Sequence, residues 1–215
     1  MQAKLKGFIN APQQTFTEFK ESDTSFPARY ARAIAYYRAT ETEKALAALE
    51  TLLKDRPNDP YLWELKGQVL FESGRAKEAE PAHRRSVELK PDAPLLRINL
   101  AQAMLAQEDK EKIAPAEVEL RKALALEEDN TFAWRLMAQA HDKRGEGGLA
   151  RLASAEASYA LGDKTQARVF AMRAREALTS NTPEWRRATD IFLASDPSDA
   201  DLKSIARSEG GKGRP

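Results

Sequence analysis

The 215-residue sequence contains no cysteine. That excludes disulfides, thiolate metal sites and cysteine nucleophiles together. It has only two histidines, His83 and His141, far apart in the chain, so a histidine-based metal centre would need partners from distant segments. It lacks a dominant charge: 34 Lys+Arg against 33 Asp+Glu give a formal net charge of +1, which argues against a strongly basic nucleic-acid binder and against an acidic solvating tail. No apolar run approaches the roughly 18–20 residues of a membrane span. The start, MQAKLKGFIN, carries no hydrophobic region of a secretory signal. No G-x-S-x-G, H-E-x-x-H or glycine-rich phosphate loop is present. The glycines of RGEGG (144–148) sit between two helix-forming stretches and read as a turn.

What is abundant is helix-forming: Ala, Leu, Glu, Lys, Arg and Gln dominate. They recur with a period. Pro57 and Pro91 are 34 residues apart, as are Pro60 and Pro94, and Ala45 and Ala79. Two helices per 34 residues is the tetratricopeptide (TPR) period. With position 1 at Phe26, Pro60 and Pro94, the pattern of a large residue at 4, small ones at 8 and 20 and proline at 32 can be read off. The second unit gives Trp63, Gly67, Ala79 and Pro91; the first gives Ala33, Ala45 and Pro57 but Arg29 at position 4. The third fits if three residues are added within Gln107 to Lys112, and the fourth then gives Trp134, Ala138 and Ala150. Small residues let antiparallel helices approach closely, and Pro60 and Pro94 stand where a missing N–H costs nothing.

The predicted fold is therefore all-α: a TPR-type solenoid of helical hairpins, forming a right-handed superhelix. Repeats are expected near 26–59, 60–93, 94–130 and 131–161, with extra helices at 164–179 and 183–194. The last, begun by Thr182 and Pro183, would cap the stack. Residues 1–25 read as two short lead-in helices covering the first repeat with Leu5, Phe8, Ile9, Phe16 and Phe19. Residues 195–215 read as a polar, disordered tail, with room for a helical turn near Ala200 to Ile205. Pro81 should kink its helix or delay its start.

Longer strings carry a narrower likeness. PARYARAIAYYR (27–38), NDPYLWELKGQVLFESGR (58–75) and PLLRINLAQAML (94–105) resemble the C-terminal TPR region of BepA-like periplasmic zinc metalloproteases, across about residues 3–194. The resemblance implies a periplasmic location and a role in outer-membrane protein quality control. It also implies zinc in a catalytic domain that this chain does not contain, because the H-E-x-x-H helix of that family is absent. The chain itself is expected to hold no cofactor, no metal and no catalytic residue. The alternative is a free-standing TPR scaffold without a protease domain.

In TPR stacks the first helices line the concave side. Position 5 reads Tyr30, Glu64, Ile98 and Arg135; position 9 reads Ile34, Gln68, Gln102 and Gln139; position 12 reads Tyr37, Phe71, Leu105 and Asp142. These twelve residues are the expected surface for a protein or peptide ligand, or for outer-membrane assembly partners. The three glutamines can donate to and accept from a peptide backbone, though glutamine is also an ordinary choice for a solvated helix face. A carboxylate clamp of the chaperone-binding kind is excluded by Tyr30, Ile34 and Leu95, where it needs Asn and Lys. His83 and His141 read as packing residues.

Overall fold

The computed structural model describes residues 2–203, and every regular element among them is helical. The chain forms two compact units, 1–112 and 113–215. The first holds α1 (Gln2–Ile9), α2 (Pro12–Glu18), α3 (Phe26–Arg38), α4 (Thr42–Asp55), α5 (Pro60–Glu72), α6 (Ala76–Leu89) and α7 (Pro94–Leu105). It ends in a 3₁₀ turn, Lys110–Lys112, so the boundary falls in the stretch where the repeat register needs its insertion. The second unit holds α8 (Ile113–Leu124), α9 (Thr131–Lys143), α10 (Gly147–Ala160), α11 (Lys164–Ala177) and α12 (Pro183–Ala194). Antiparallel neighbours pack in chain order: α3 on α4, α5 on α6, α9 on α10 and α10 on α11. Thus α10 serves two hairpins at once, and α12 packs on both α11 and α10.

Helix starts follow from local chemistry. Side chains of Ser25, Asp59, Asn130, Asp163 and Thr182 each accept a hydrogen bond from a first-turn N–H, satisfying a donor the helix itself cannot pair. The large residue at position 4 has a second duty beyond filling space. Trp63 Nε1 donates to the Pro57 carbonyl (2.8 Å), Arg97 Nε to the Pro91 carbonyl (2.9 Å) and Trp134 Nε1 to the Glu128 carbonyl (2.7 Å). In each case a side-chain N–H reaches six residues back and ties the incoming loop to the new helix. Between helices the turn residue takes a left-handed conformation at Gly74 (φ 80°), and the Arg75 N–H then closes onto the Leu70 carbonyl (2.9 Å), the helix-ending arrangement that favours glycine. Thr40 (φ 58°) occupies the same place after α3, with the Glu41 N–H on the Tyr36 carbonyl.

Pro81 does not delay its helix, since α6 begins five residues earlier. The ring is exposed, so its bulk costs nothing against the core, but one backbone hydrogen bond is lost. Pro81→Ala is expected to raise stability by about 1 kcal/mol, the net value of one restored bond. A urea midpoint unchanged or lower would contradict this.

The lead-in is attached differently from expectation. Leu5, Phe8 and Ile9 are 52%, 38% and 74% exposed. The face of α1 that meets α3 is instead the one bearing Gly7, where a Cβ would lie 3.1 Å from Ile34 Cβ and 3.2 Å from the Ala31 carbonyl oxygen. Arginines hook the lead-in by its carbonyls. Arg32 Nη1 donates to Phe19, Lys20 and Asp23 (3.2, 2.6 and 2.9 Å), and Arg38 Nη1 donates to Gly7 and Asn10. Phe16 does pack inward, its ring 4.8 Å from that of Tyr36. At the other end, residues 195–203 are tied down rather than free. Arg168 Nη1 donates to the Ser195 and Asp196 carbonyls (3.0 and 2.9 Å), and residues 199–203 are helical behind a Ser198 cap. The remainder of the expected tail, 204–215, lies outside the described residues.

Candidate functional site

Within the first unit, α5 and α7 are equivalent first helices of successive hairpins. Residues of the same register therefore stand side by side, as Gln68 does beside Gln102, and one register position further along α7 Asn99 Nδ2 donates to Glu64 Oε1 (3.3 Å). Together with Phe71, Glu72, His83 and Leu95 they line a cavity of ≈ 240 Å³. Gln68 Nε2 donates to Glu72 Oε1 (2.9 Å), and the Tyr37 hydroxyl donates to Glu72 Oε2. Burial pushes the Glu64 carboxyl up, against the pull of Lys4. Lys4, on α1, places its ammonium 5.2 Å from the centre of the Tyr61 ring and 5.8 Å from that of Tyr30, a cation held at aromatic faces. Burial, helped by Asp59 and Glu64, also pushes the Tyr30 hydroxyl well up.

His83 reaches this cavity from α6. It is 2% exposed, and Nδ1 has no hydrogen-bond partner. Burial holds its imidazole down at about 4, so it is neutral at physiological pH. The ring lies against the backbone of Gly67, and this close approach is the physical reason for glycine there: a Cβ would meet three ring atoms at 2.6–2.7 Å.

The twelve expected surface residues divide. Glu64, Gln68, Phe71 and Gln102 converge on the cavity, and Tyr37 joins through Glu72. Tyr30, Ile34, Ile98 and Leu105 do not present themselves; all four are buried. Tyr30 and Ile34 belong to the core around α3–α5, and Ile34 is closed off by α1 at Gly7. For Ile98 and Leu105 burial of an aliphatic side chain, worth about 1.5–3 kcal/mol, is the stronger claim on the residue. Arg135, Gln139 and Asp142 are exposed on α9 in the second unit. The repeat register passes over Asn99, Glu72 and Leu95 as site residues, and assigns His83 only to packing. The one available signal was glycine rather than alanine at position 67, facing a ring.

In the second unit Glu117, His141 and Glu146 bring potential ligand atoms within 4.8 Å of one another. Cations already hold them. Arg121 and Arg144 pair with the buried Glu117 (2.9 and 3.2 Å), Arg144 pairs with Glu146 (2.9 Å), and His141 Nδ1 lies 2.7 Å from Glu146 Oε2. The cluster is an ion-pair network joining α8, α9 and the start of α10.

The TPR domain family of cytochrome c-type biogenesis protein H matches residues 17–168. The chain belongs to that family. Solved structures agree on the fold. The crystal structure of MamA aligns with a TM-score of 0.58 at 18% identity, covering 81% of this chain and 96% of that one. YrrB, described as a TPR protein with an unusual peptide-binding site, aligns with a TM-score of 0.58 at 16% identity, covering 92% of this chain and all of that one (100%). At such identities the likeness is one of fold. Among curated sequences, the peroxisomal targeting signal receptor of Saccharomyces cerevisiae is 34% identical over 68 residues, 32% of this chain and 11% of the receptor. That of Kluyveromyces lactis is 28% identical over 98 residues, 43% of this chain and 17% of the receptor. The chain thus spans a small fraction of these relatives' length.

Proposed function

We propose that this family member is a protein-interaction module whose first unit binds a peptide segment of a partner along the face shared by α5 and α7. The observation that carries it is the convergence of Glu64, Gln68, Asn99 and Gln102 from two successive first helices on one cavity. Their amides and carboxylates can satisfy a peptide's N–H and C=O groups, and Phe71 and Leu95 supply apolar contact. YrrB, a structural neighbour described by its peptide-binding site, supports the reading as a matter of fold. The chemistry is recognition rather than catalysis, because no nucleophile–base pair accompanies these residues.

The family name supports cytochrome c-type assembly as the setting. A second setting, the partner-binding half of a periplasmic zinc protease concerned with outer-membrane proteins, is favoured by the strings at 27–38, 58–75 and 94–105. The protease reading proposes the periplasm. A photo-crosslinking residue in place of Leu95, which is exposed at the cavity rim, tests function and setting together. The expected product contains a cytochrome c assembly protein, and it is lost in the Gln68→Arg/Gln102→Arg variant while the helical circular dichroism stays. Outer-membrane proteins in the product would select the protease setting. Crosslinking indifferent to the double substitution would sink the binding face.

A further inference from the structure

The α5–α7 cavity has a chemical bias that the peptide-binding reading does not use. Its lining includes two carboxylates, Glu64 and Glu72, three side-chain amides and an imidazole, and no lysine or arginine. Glu64 is half-buried and accepts a neutral hydrogen bond from Asn99. His83, almost wholly buried, brings a neutral ring whose Nδ1 is unpartnered. A buried ring nitrogen without a partner costs about 1–3 kcal/mol and calls for an explanation. The nearby cation is the chain's own Lys4, parked over Tyr30 and Tyr61 and acting on Glu64 from a distance.

We propose that this cavity is a specificity pocket for an arginine side chain of the bound peptide, with Glu64 as its counter-ion and the amides and His83 as its further acceptors. This deepens the peptide-binding reading and rests on it. The volume, ≈ 240 Å³, supports one long side chain. The lining favours arginine over lysine. Guanidinium carries five donors in a rigid plane and sheds water more readily than an ammonium. The acceptors here come from three helices, α5, α6 and α7, and surround a group rather than meet it at a point. An anionic or purely apolar side chain would leave Glu64 uncompensated in a partly buried site.

The test uses the whole chain and N-acetyl-arginine methylamide as the probe. The chain has only two histidines, so their ring protons give separate NMR signals. Titration is expected to move His83 and leave His141 in place, saturating with a dissociation constant of about 1–10 mM. The citrulline analogue, equal in shape but uncharged, should bind at least about tenfold more weakly, a loss of about 1.4 kcal/mol. Glu64→Gln should weaken the arginine probe at least about fivefold, and circular dichroism should show the fold intact. His83 unmoved by the arginine probe would overturn the pocket, as would equal binding of citrulline or a Glu64→Gln chain that binds normally. Partner crosslinking at position 95 reads the face separately. A wild-type crosslink with His83 silent removes the pocket alone, whereas His83 responding with no crosslink in wild type removes the peptide face and with it the reading of the pocket as a peptide's arginine site.

Discussion

Gly67→Leu is expected to lower the stability of the chain by roughly 3 kcal/mol, the upper end of the usual cost of overpacking. Even the first added carbon has nowhere to go: an ideal Cβ at Gly67 lies 2.6 Å from Cε1 and Nδ1 of His83 and 2.7 Å from Nε2. Those atoms belong to a rigid ring that is 2% exposed, not to the free end of a flexible chain, so relief requires α6 to move away from α5. Along that same pair of helices run Leu62, Leu65, Val69, Ala79 and Ala82, all buried, and separating them forfeits contacts across a close-packed interior. The mechanism has a check of its own. In a double-mutant cycle Gly67→Ala should be costly alone and much cheaper on a His83→Ala background, because the clash partner is gone. Additive effects of the two substitutions would show that the glycine serves another purpose. A Gly67→Leu melting curve superposable on the wild type would remove the packing argument altogether.

What could be read from the residues alone was whatever depends on spacing. Proline marks first turns, so Pro60 and Pro94 locate α5 and α7, which begin at those residues. Small residues at a fixed period mark close approaches, and Gly67, Ala79, Ala101 and Ala116 are all buried. The three-residue departure from the period falls between Gln107 and Lys112, where the structure has a loop and a 3₁₀ turn. What spacing does not contain is the choice between two faces of a helix whose partner is not periodic. The lead-in is the clearest case. Its apolar residues Leu5, Phe8 and Ile9 suggest a buried face, yet the contact is made by Gly7 and by Arg32 and Arg38 reaching backbone carbonyls. A hydrogen bond from an arginine to a carbonyl leaves no trace in hydrophobic pattern, because any residue supplies the acceptor. The same limit applies to the site. Position 9 shows Gln68 and Gln102 on one row but is blind to Ile34 being covered by α1. His83 comes from a second helix, where register promises only packing.

Lowering the pH should expose His83 as the main early weakness of the fold. An unfolded histidine titrates near 6.5, whereas burial holds His83 at about 4 in the folded chain. Above pH 6.5 both states carry a neutral ring and the residue contributes no pH dependence. Between pH 6.5 and about 4 the unfolded chain takes up a proton that the folded chain refuses, so stability falls as the pH falls. The whole descent is worth about 3 kcal/mol at 1.36 kcal/mol per unit, with the residue almost fully buried and little solvent screening to reduce it. Glu80 acts in the same direction but later. Burial alone would push its carboxyl up, yet hydrogen bonds from Gln107, Arg84 and Lys112 hold it down at about 2, so its contribution is present above 4.5 and is lost between there and about 2. Glu64 acts in the opposite direction. Burial pushes it up, so the folded chain gains from its protonation as the pH falls, which blunts the decline in wild type. Glu72, the other carboxylate on the cavity wall, shares the Gln68 amide and the Tyr37 hydroxyl and stays in place in every comparison. The diagnostic is therefore a difference: urea unfolding of wild type and His83→Asn measured from pH 7.5 to pH 4. Wild type should lose stability steeply below pH 6.5, while the variant, less stable at pH 7.5, should hold nearly level over the same range, so that the two curves converge. Parallel curves would mean that His83 takes up its proton as readily in the folded chain as in the unfolded one, and the argument that burial keeps its ring neutral below pH 6.5 would fall.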